Sequence, residues 1–223
     1  MEFEVFDLGL VDFKHAWQFQ KEIFQVVKEN HLSSALILCC HYPVITLGRQ
    51  ADRRNILVSE EELKKRGIPI YEIERAGDVT YHGPGQINAY PIFNLHYLKK
   101  DIHLFLRRLE EVVIELLSDF GIEATRYAGL TGVWVKGFKI SSLGIAIRNW
   151  ISFHGISINI KEDDLRNFSL IRPCGMDIDM VALEMILSRR VDMEMIKQKL
   201  IFKFKDNFAD ERLKVGLSSG RIR

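Results

Sequence analysis

The chain has 223 residues, 47% of them apolar and 27% charged, with a formal net charge of +1. That is enough chain to bury one sizeable core with an ordinary globular balance, which excludes a disordered or fibrous polypeptide. The near-zero charge argues against a nucleic-acid binder driven by bulk electrostatics, and no apolar run approaches the length of a membrane span.

Three cysteines, two of them adjacent, make no disulfide framework. The opening Met-Glu-Phe-Glu-Val has no signal-peptide pattern, so a cytoplasmic protein with free thiols is the expectation. Glu2–Asp7 alternates as a strand does. Phe13, Ala16, Trp17, Phe24 and Val27 recur at helical spacing and predict an amphipathic helix from Phe13 to Asn30. Ala35–Cys40 is a short continuous apolar run suited to a buried strand, which makes Cys39 and Cys40 inert core thiols. Val44–Leu47 is a second strand, leading into the basic loop Gly48–Arg54. Ser59 with Glu62 has capping-box spacing, and Gly67 and Pro69 stop the short helix that follows. Ile68–Glu74 and Ile87–Leu95 read as strands on either side of a polar loop. Asp101 caps the longest helix, with Ile102, Phe105, Leu109, Val112, Leu116 and Phe120 on one face, Arg107–Glu111 on its solvated side and Gly121 at its end. Val133–Val135, Phe138–Ile147 and Trp150–Ile160 form an antiparallel meander with turns at Lys136-Gly137 and Arg148-Asn149. Leu165–Gly175 reads as a loop, helices follow near Val181–Ser188 and Asp192–Asn207, and Gly216–Arg223 reads as a loose tail. The Met-rich stretch Met176–Met195 reads as core filler. With no repeat and no linker, residues 1–223 are expected to form one α+β domain.

The stretch most suited to a site is Arg75-Ala-Gly-Asp-Val-Thr-Tyr-His-Gly-Pro-Gly-Gln86. Glycine is useful where a backbone takes positive φ or comes close to a ligand, and Pro84 stiffens the path. Six polar side chains along a glycine-marked path between two buried strands describe a binding loop better than an ordinary turn. It is neither a Walker A nor a Gly-x-Gly-x-x-Gly loop. Cys174, between Pro173 and Gly175 in a segment without periodicity, is either structural or an accessible nucleophile, and Lys139 is a cation that would favour its thiolate if the two met. His82 lies in the polar loop. His154, mid-strand beside Gly155, reads more simply as a satisfied core residue. No His, Cys or carboxylate spacing suits a metal.

Arg75–Gln86, followed by Lys139-Ile-Ser-Ser-Leu-Gly144, His154-Gly155 and Pro173-Cys-Gly175, resembles the lipoyl(octanoyl) transferase family of lipoate biosynthesis over nearly the whole chain. One departure is Ala76, where that family usually has glycine. The resemblance implies an α+β fold with a mixed β-sheet flanked by helices, like the catalytic domain of biotin and lipoate protein ligases. It implies transfer of an octanoyl group from acyl carrier protein to a lysine of lipoyl domains, those of 2-oxoacid dehydrogenase complexes and the glycine cleavage H protein. Neither cofactor, metal, nucleic acid nor membrane is implied. Carried over by position, Cys174 would be the thioester-forming nucleophile and Lys139 its activator. Arg75, Ala76, Gly77, Asp78, Val79, Thr80, Tyr81, His82, Ser142, Leu143, Gly144, Gly155, Ile156 and Ser157 would line the acyl pocket. A lipoate–protein ligase, a lipoyl amidotransferase or a non-catalytic module that binds acylated proteins are the competing readings, and a basic patch at Arg49, Arg53 and Arg54 is a candidate docking surface for an acidic carrier.

Overall fold

The computed structural model describes residues 1–176 and 178–208, except for the side chain of Cys174; the tail Gly216–Arg223 lies outside the described residues. In chain order the elements are β1 (Glu4–Val11), α1 (Phe13–Lys28), β2 (Ser34–His41), β3 (Val44–Leu47), α2 (Glu60–Lys65), β4 (Ile70–Glu72), β5 (Val79–His82), β6 (Gln86–Phe93), α3 (Ile102–Ser118), β7 (Gly132–Val135), β8 (Phe138–Arg148), β9 (Ile151–Asn159), α4 (Leu183–Leu187) and α5 (Met193–Phe208). Two sheets result. The larger has the order β1-β2-β6-β9-β8-β7, and the smaller is β4-β3-β5. Parallel pairs β1/β2 and β3/β4 sit among antiparallel ones, so both sheets are mixed.

Local chemistry sets the helix boundaries. Asp12 caps α1 by accepting from the Lys14 N–H, Asp101 caps α3 by accepting from Leu104, and Gly121 leaves α3 at a φ of 70°. Ser59 accepts from Glu62 N–H at 3.2 Å, but the Glu62 carboxylate turns to Arg66 at 2.7 Å, so only half of the expected capping box forms. In β2 all eight residues are buried because both faces of the larger sheet are covered. Ala35, Ile37 and Cys39 face α1 through Ala16, Phe24 and Val27, while Leu36 and Leu38 face the opposite core, which holds Leu109, Val113, Phe204 and Phe208 from α3 and α5. Burial pushes the Cys39 and Cys40 thiols up, as expected of core cysteines.

Pro91 sits inside a central strand, where its missing N–H would normally break the ladder. The break is used. Pairing of β6 with β9 runs from Gln86↔Asn159 to Ala89↔Ile156 and then stops. Beyond it, the Ser152 hydroxyl donates to Pro91 O at 2.7 Å and accepts from Phe93 N–H at 3.1 Å. At the interruption His154 adopts a φ of 56°, and Gly155 is obligatory because a Cβ there would lie 2.1 Å from Ala89 O.

Several expectations from sequence are corrected. The polar loop Arg75–Gln86 contains the strand β5, completely buried. Leu165–Gly175 is largely 3-10 helix, Glu162–Leu170 and then Pro173–Gly175. The turn after β8 falls at Asn149 and Trp150, with φ of 52° and 57°. Met176 and Met185 are exposed rather than core. No helix among the described residues is long and apolar enough to cross a membrane.

The face of α3 read as solvated is not uniformly so, since Glu110 is only 1% exposed. Its carboxylate accepts from Arg107 at 2.6 Å, from Arg126 Nε at 3.0 Å and from the Gly132 N–H at 3.1 Å, tying the start of β7 to α3. A helical period alone cannot show that a glutamate meets two arginines and a backbone amide. Replacement by Ala strands the Gly132 amide and leaves a cavity, so Glu110→Ala should lower the unfolding free energy by about 2–3 kcal/mol, less than for a fully buried pair because Arg107 is half-exposed. Urea denaturation measures it; a loss below about 0.5 kcal/mol would put Glu110 among ordinary surface positions.

Candidate active site

The site begins with a buried arginine. Arg75, at the end of the chain leaving β4, donates through Nη2 to Thr46 O at 2.7 Å and through Nη1 to Ala76 O at 3.1 Å. Thr46 lies on β3, so the guanidinium locks the segment before β5 onto the smaller sheet. Ala76 N–H then donates to Ile145 O at 2.8 Å, which joins that segment to β8 of the larger sheet. Gly144 permits this approach, since a Cβ there would come within 3.0 Å of both Ala76 O and Arg75 Cδ. The loop after β3 hangs from the same segment. Gly48, Arg49 and Gln50 donate N–H groups to Asp78, Arg75 and Gly77 carbonyls at 3.0–3.2 Å.

Between these parts lies a cavity of about 530 Å³, in the range of small-ligand sites. Of the predicted wall, Arg75, Ala76, Gly77, Asp78, Val79, Thr80, His82, Ser142, Leu143, Gly144, Gly155, Ile156 and Ser157 all border it, together with Lys139. Ala76, the departure from the family pattern, is exposed at its rim. Tyr81 points elsewhere. Its hydroxyl lies 3.2 Å from Asp164 Oδ1 and accepts from Asn167 Nδ2 at 2.8 Å, and its ring packs edge-on against Phe168. Strand alternation inside a segment read as loop explains the miss. Gly83 and Gly85 likewise serve Asp164, because a Gly83 Cβ would lie 2.2 Å from its Oδ2, and the Gly85 N–H donates to that oxygen at 2.6 Å. Burial raises the Asp164 carboxyl above its ordinary pKa.

Sequence reading missed the cavity's apolar and aromatic contributors, namely Phe13, Tyr90, Leu106, Leu130 and Ile145. Helical or strand periodicity marks all but Leu130, which lies in the loop before β7, as core, and nothing local tells core from cavity wall. Thr80 Oγ1 is buried with no hydrogen-bond partner among the described residues.

Lys139 is only 4% exposed, with Nζ 5.1 Å from the centre of the Trp134 ring, a cation–π distance. Its stem crosses Gly132, where a Cβ would lie 2.6 Å from Lys139 Cε. The backbone of Lys139 is bound to the segment beyond the Pro-Cys-Gly turn: its N–H donates to Asp179 O at 2.9 Å, and Val181 N–H donates to Lys139 O at 3.0 Å. Pro173 and Met176 border the cavity that Lys139 borders. The turn Pro173–Gly175 closes through Gly175 N–H to Arg172 O at 3.1 Å, with Gly175 at a φ of 65°. The Cys174 side chain is outside the described part of the molecule.

The basic loop is largely neutralised in place. Arg53 pairs with Glu60 at 3.0 Å and Glu72 at 2.7 Å, and Arg54 pairs with Asp52 at 2.5 Å. An uncompensated basic patch of three arginines is therefore not formed.

Three buried histidines stand in or behind the wall, all neutral in character. His41 Nδ1 donates to Val11 O at 3.1 Å, leaving Nε2 to accept from the Tyr90 hydroxyl at 2.7 Å. Burial lowers its pKa to about 4. His82, bonded to Gln86 at 3.3 Å, is pushed well below its ordinary value by burial and then by His41 and Arg75. His154 is lowered by burial despite the Glu74 carboxylate 3.4 Å away, and that contact helps to hold Glu74 at about 2. His154 is thus both a satisfied buried histidine and part of the cavity wall. Because each folded-state histidine pKa lies below its unfolded value, the unfolded chain binds more protons, and stability present above pH 6.5 is lost as the pH falls toward 4. His41 alone should remove about 2 kcal/mol of unfolding free energy between pH 7 and pH 5. Urea denaturation at the two pH values tests this, and His41→Gln should flatten the dependence; an equal loss in that variant would clear His41.

The chain is similar in sequence and backbone to known proteins. A profile of the lipoyl protein ligase A/B catalytic domain matches residues 12–205. An octanoyltransferase of Thermoanaerobacter sp. (strain X514) is 44% identical over 206 residues, covering 92% of this chain and 90% of that one. The backbone is similar to that of a bi-partite lipoate protein ligase from Thermoplasma acidophilum, with a TM-score of 0.71 at 17% identity, covering 93% of this chain and 84% of that one. It is also similar to a biotin protein ligase from Aquifex aeolicus, with a TM-score of 0.52 at 14% identity, covering 93% and 69%. The two solved structures establish the α+β fold, a mixed sheet flanked by helices. The profile and the 44% identical relative establish that the chain belongs to the lipoyl protein ligase A/B catalytic domain family and, within it, to the octanoyltransferases.

Proposed function

We propose that this chain, acting as a single catalytic domain, transfers an octanoyl group from acyl carrier protein to the lysine of lipoyl domains by way of a thioester on Cys174. The observation that carries the reading is that Lys139 borders the same partly apolar cavity as Pro173 and Met176, which bracket the Cys174–Gly175 segment. In the first half-reaction the Cys174 thiolate attacks the carbonyl carbon of the carrier's thioester. The tetrahedral oxyanion collapses, the C–S bond to the carrier breaks, and the departing thiolate takes a proton from the Lys139 ammonium. In the second, the amine of the acceptor lysine attacks the acyl-enzyme carbonyl, neutral Lys139 takes a proton from it, and the Cys174 thiolate leaves to give the amide. A thioester donor is already activated, so neither nucleotide nor metal is required. Thr80 Oγ1, which has no partner among the described residues, is a candidate donor for the oxyanion.

The remaining wall residues would receive the acyl chain. Leu106, Leu130, Leu143, Ile145 and Ile156 give it apolar contact, worth roughly 0.8 kcal/mol per buried methylene. Ser142, Gly144, Gly155 and Ser157 keep the strands around it narrow. The acceptors in this reading are lipoyl domains of 2-oxoacid dehydrogenase complexes and the glycine cleavage H protein, and the setting is the cytoplasm.

Incubation with octanoyl-acyl carrier protein, without ATP, should add one octanoyl mass that hydroxylamine removes and that Cys174→Ala lacks. An adduct that maps to Cys39 or Cys40, or that requires ATP, would overturn the assignment and, in the second case, favour a ligase.

Lys139 has its own test. A free thiol titrates near 8.5, and an ammonium within about 4–6 Å lowers that by roughly one to three units. In Lys139→Met the rate of Cys174 alkylation should therefore move to higher pH by about that amount. Lys139→Arg should restore alkylation but not transfer, since arginine stays protonated. Identical pH profiles for wild type and Lys139→Met would separate the two residues.

A further inference from the structure

The turn that carries Cys174 is supported by a segment outside the motif stretches, residues 52–57. Residues 55–57 run antiparallel to residues 170–172. Leu57 N–H donates to Leu170 O at 2.9 Å, Ile56 bridges Ile171, and Arg172 N–H donates to Asn55 O at 2.7 Å. Arg172 is the residue from which the Pro173–Gly175 turn springs, so its height above the cavity depends on where Asn55 sits. The Asn55 side chain is tied down in turn. Its amide donates to Asp78 Oδ2, while Asp78 Oδ1 accepts from Asp52 N–H at 3.0 Å, and Asn55 N–H closes the intervening 3-10 turn onto Asp52 O at 2.9 Å. One carboxylate of the cavity wall thereby holds both ends of the 52–55 turn. The same Asn55 amide lies against Gly175, 3.6 Å from where a Cβ would stand.

We infer that Asn55 is a positioning residue for the Cys174 turn, setting through its bond to Asp78 the placement of Cys174 relative to the cavity. This rests on the reading of Cys174 as the acyl acceptor. Asn55 touches no cavity surface itself. It acts by linking two segments that do, the wall at Asp78 and the turn after Arg172. A small displacement of the nucleophile is enough to matter, since a shift of about 1 Å costs on the order of 100-fold in rate.

The two side chains can be exchanged without losing a hydrogen bond. In the double variant Asn55→Asp/Asp78→Asn, the new amide at position 78 accepts from Asp52 N–H through its oxygen and donates through its nitrogen to the new carboxylate at position 55. Asn55→Asp alone sets two carboxylates against each other. Iodoacetamide alkylation of Cys174, mapped by peptide mass and followed against pH, should slow by about 10- to 100-fold in Asn55→Asp, and kcat for octanoyl transfer should fall with it while KM for the donor stays within about twofold. The exchanged pair should recover most of the alkylation rate. Should Asn55→Asp fail to fold, Asn55→Ala, which removes the bond without adding charge, is read in the same way. Wild-type alkylation and kcat in the single variant, or no recovery in an exchanged pair that melts like wild type, would overturn the inference. Alkylation needs no acyl donor, so an absence of octanoyl adduct in the wild type would count against the proposed reaction and leave the role of Asn55 to the alkylation result.

Discussion

The burial of the Arg75 guanidinium beneath β3 is the constraint on which the site depends. A charged group removed from water must be met by hydrogen bonds, and Thr46 and the Ala76 carbonyl meet it. Those bonds determine where the next residues run. Ala76 can then pair with Ile145, the loop from Gly48 to Gln50 can pair back onto residues 75–78, and Asp78 can collect the turn that follows. Two sheets that share no strand become the two sides of one cavity. The order of causes runs from the desolvation of one cation to the shape of the pocket.

The cavity combines an apolar interior with groups whose charge is controlled by burial. Three histidines stand near it, and all three have lowered pKa values because imidazolium would be poorly solvated there. Among the described residues of the lining, that leaves Arg75, Asp78 and Lys139 as the charge-bearing side chains. Lys139 also borders the cavity, its stem confined between Gly132 and Trp134. Confinement limits the geometries that its amine can sample.

The larger sheet is interrupted beside two residues of the cavity lining, His154 and Gly155. Pro91 cannot donate to β9, the ladder between β6 and β9 stops at Ala89↔Ile156, and His154 takes up a left-handed backbone conformation at the gap. A non-glycine residue in that region carries a conformational cost of order 1–3 kcal/mol, sustained only when its surroundings fix it. Here Gln20 accepts the His154 N–H at 2.9 Å and Glu74 accepts from its ring.

The sequence alone was sufficient for the elements whose period is long and whose ends carry capping groups. The helices from Phe13 and from Ile102, the buried run around Leu36 and the meander from Val133 to Ile160 all follow from periodicity, Asp or Gly boundaries and β-branched content. The stretch Arg75–Gln86 stood out for a different reason: glycines and polar side chains are costly in a core and so mark places where the backbone approaches something, whereas the cavity-lining residues on β8 and β9 were expected only from the family resemblance. Tertiary structure decided what periodicity cannot encode. Tyr81 turns from the cavity because its segment is a strand, Glu110 is buried because Arg107, Arg126 and the Gly132 amide converge on it, and Arg53 and Arg54 are neutralised by carboxylates beside them. Leu106 and Tyr90 look like any core residue until the fold leaves empty volume beside them. Asn55, an unremarked polar residue in a surface loop, is given its neighbours by a ladder to residues more than a hundred positions away, and a pairing over that distance is settled by the packing of the whole chain.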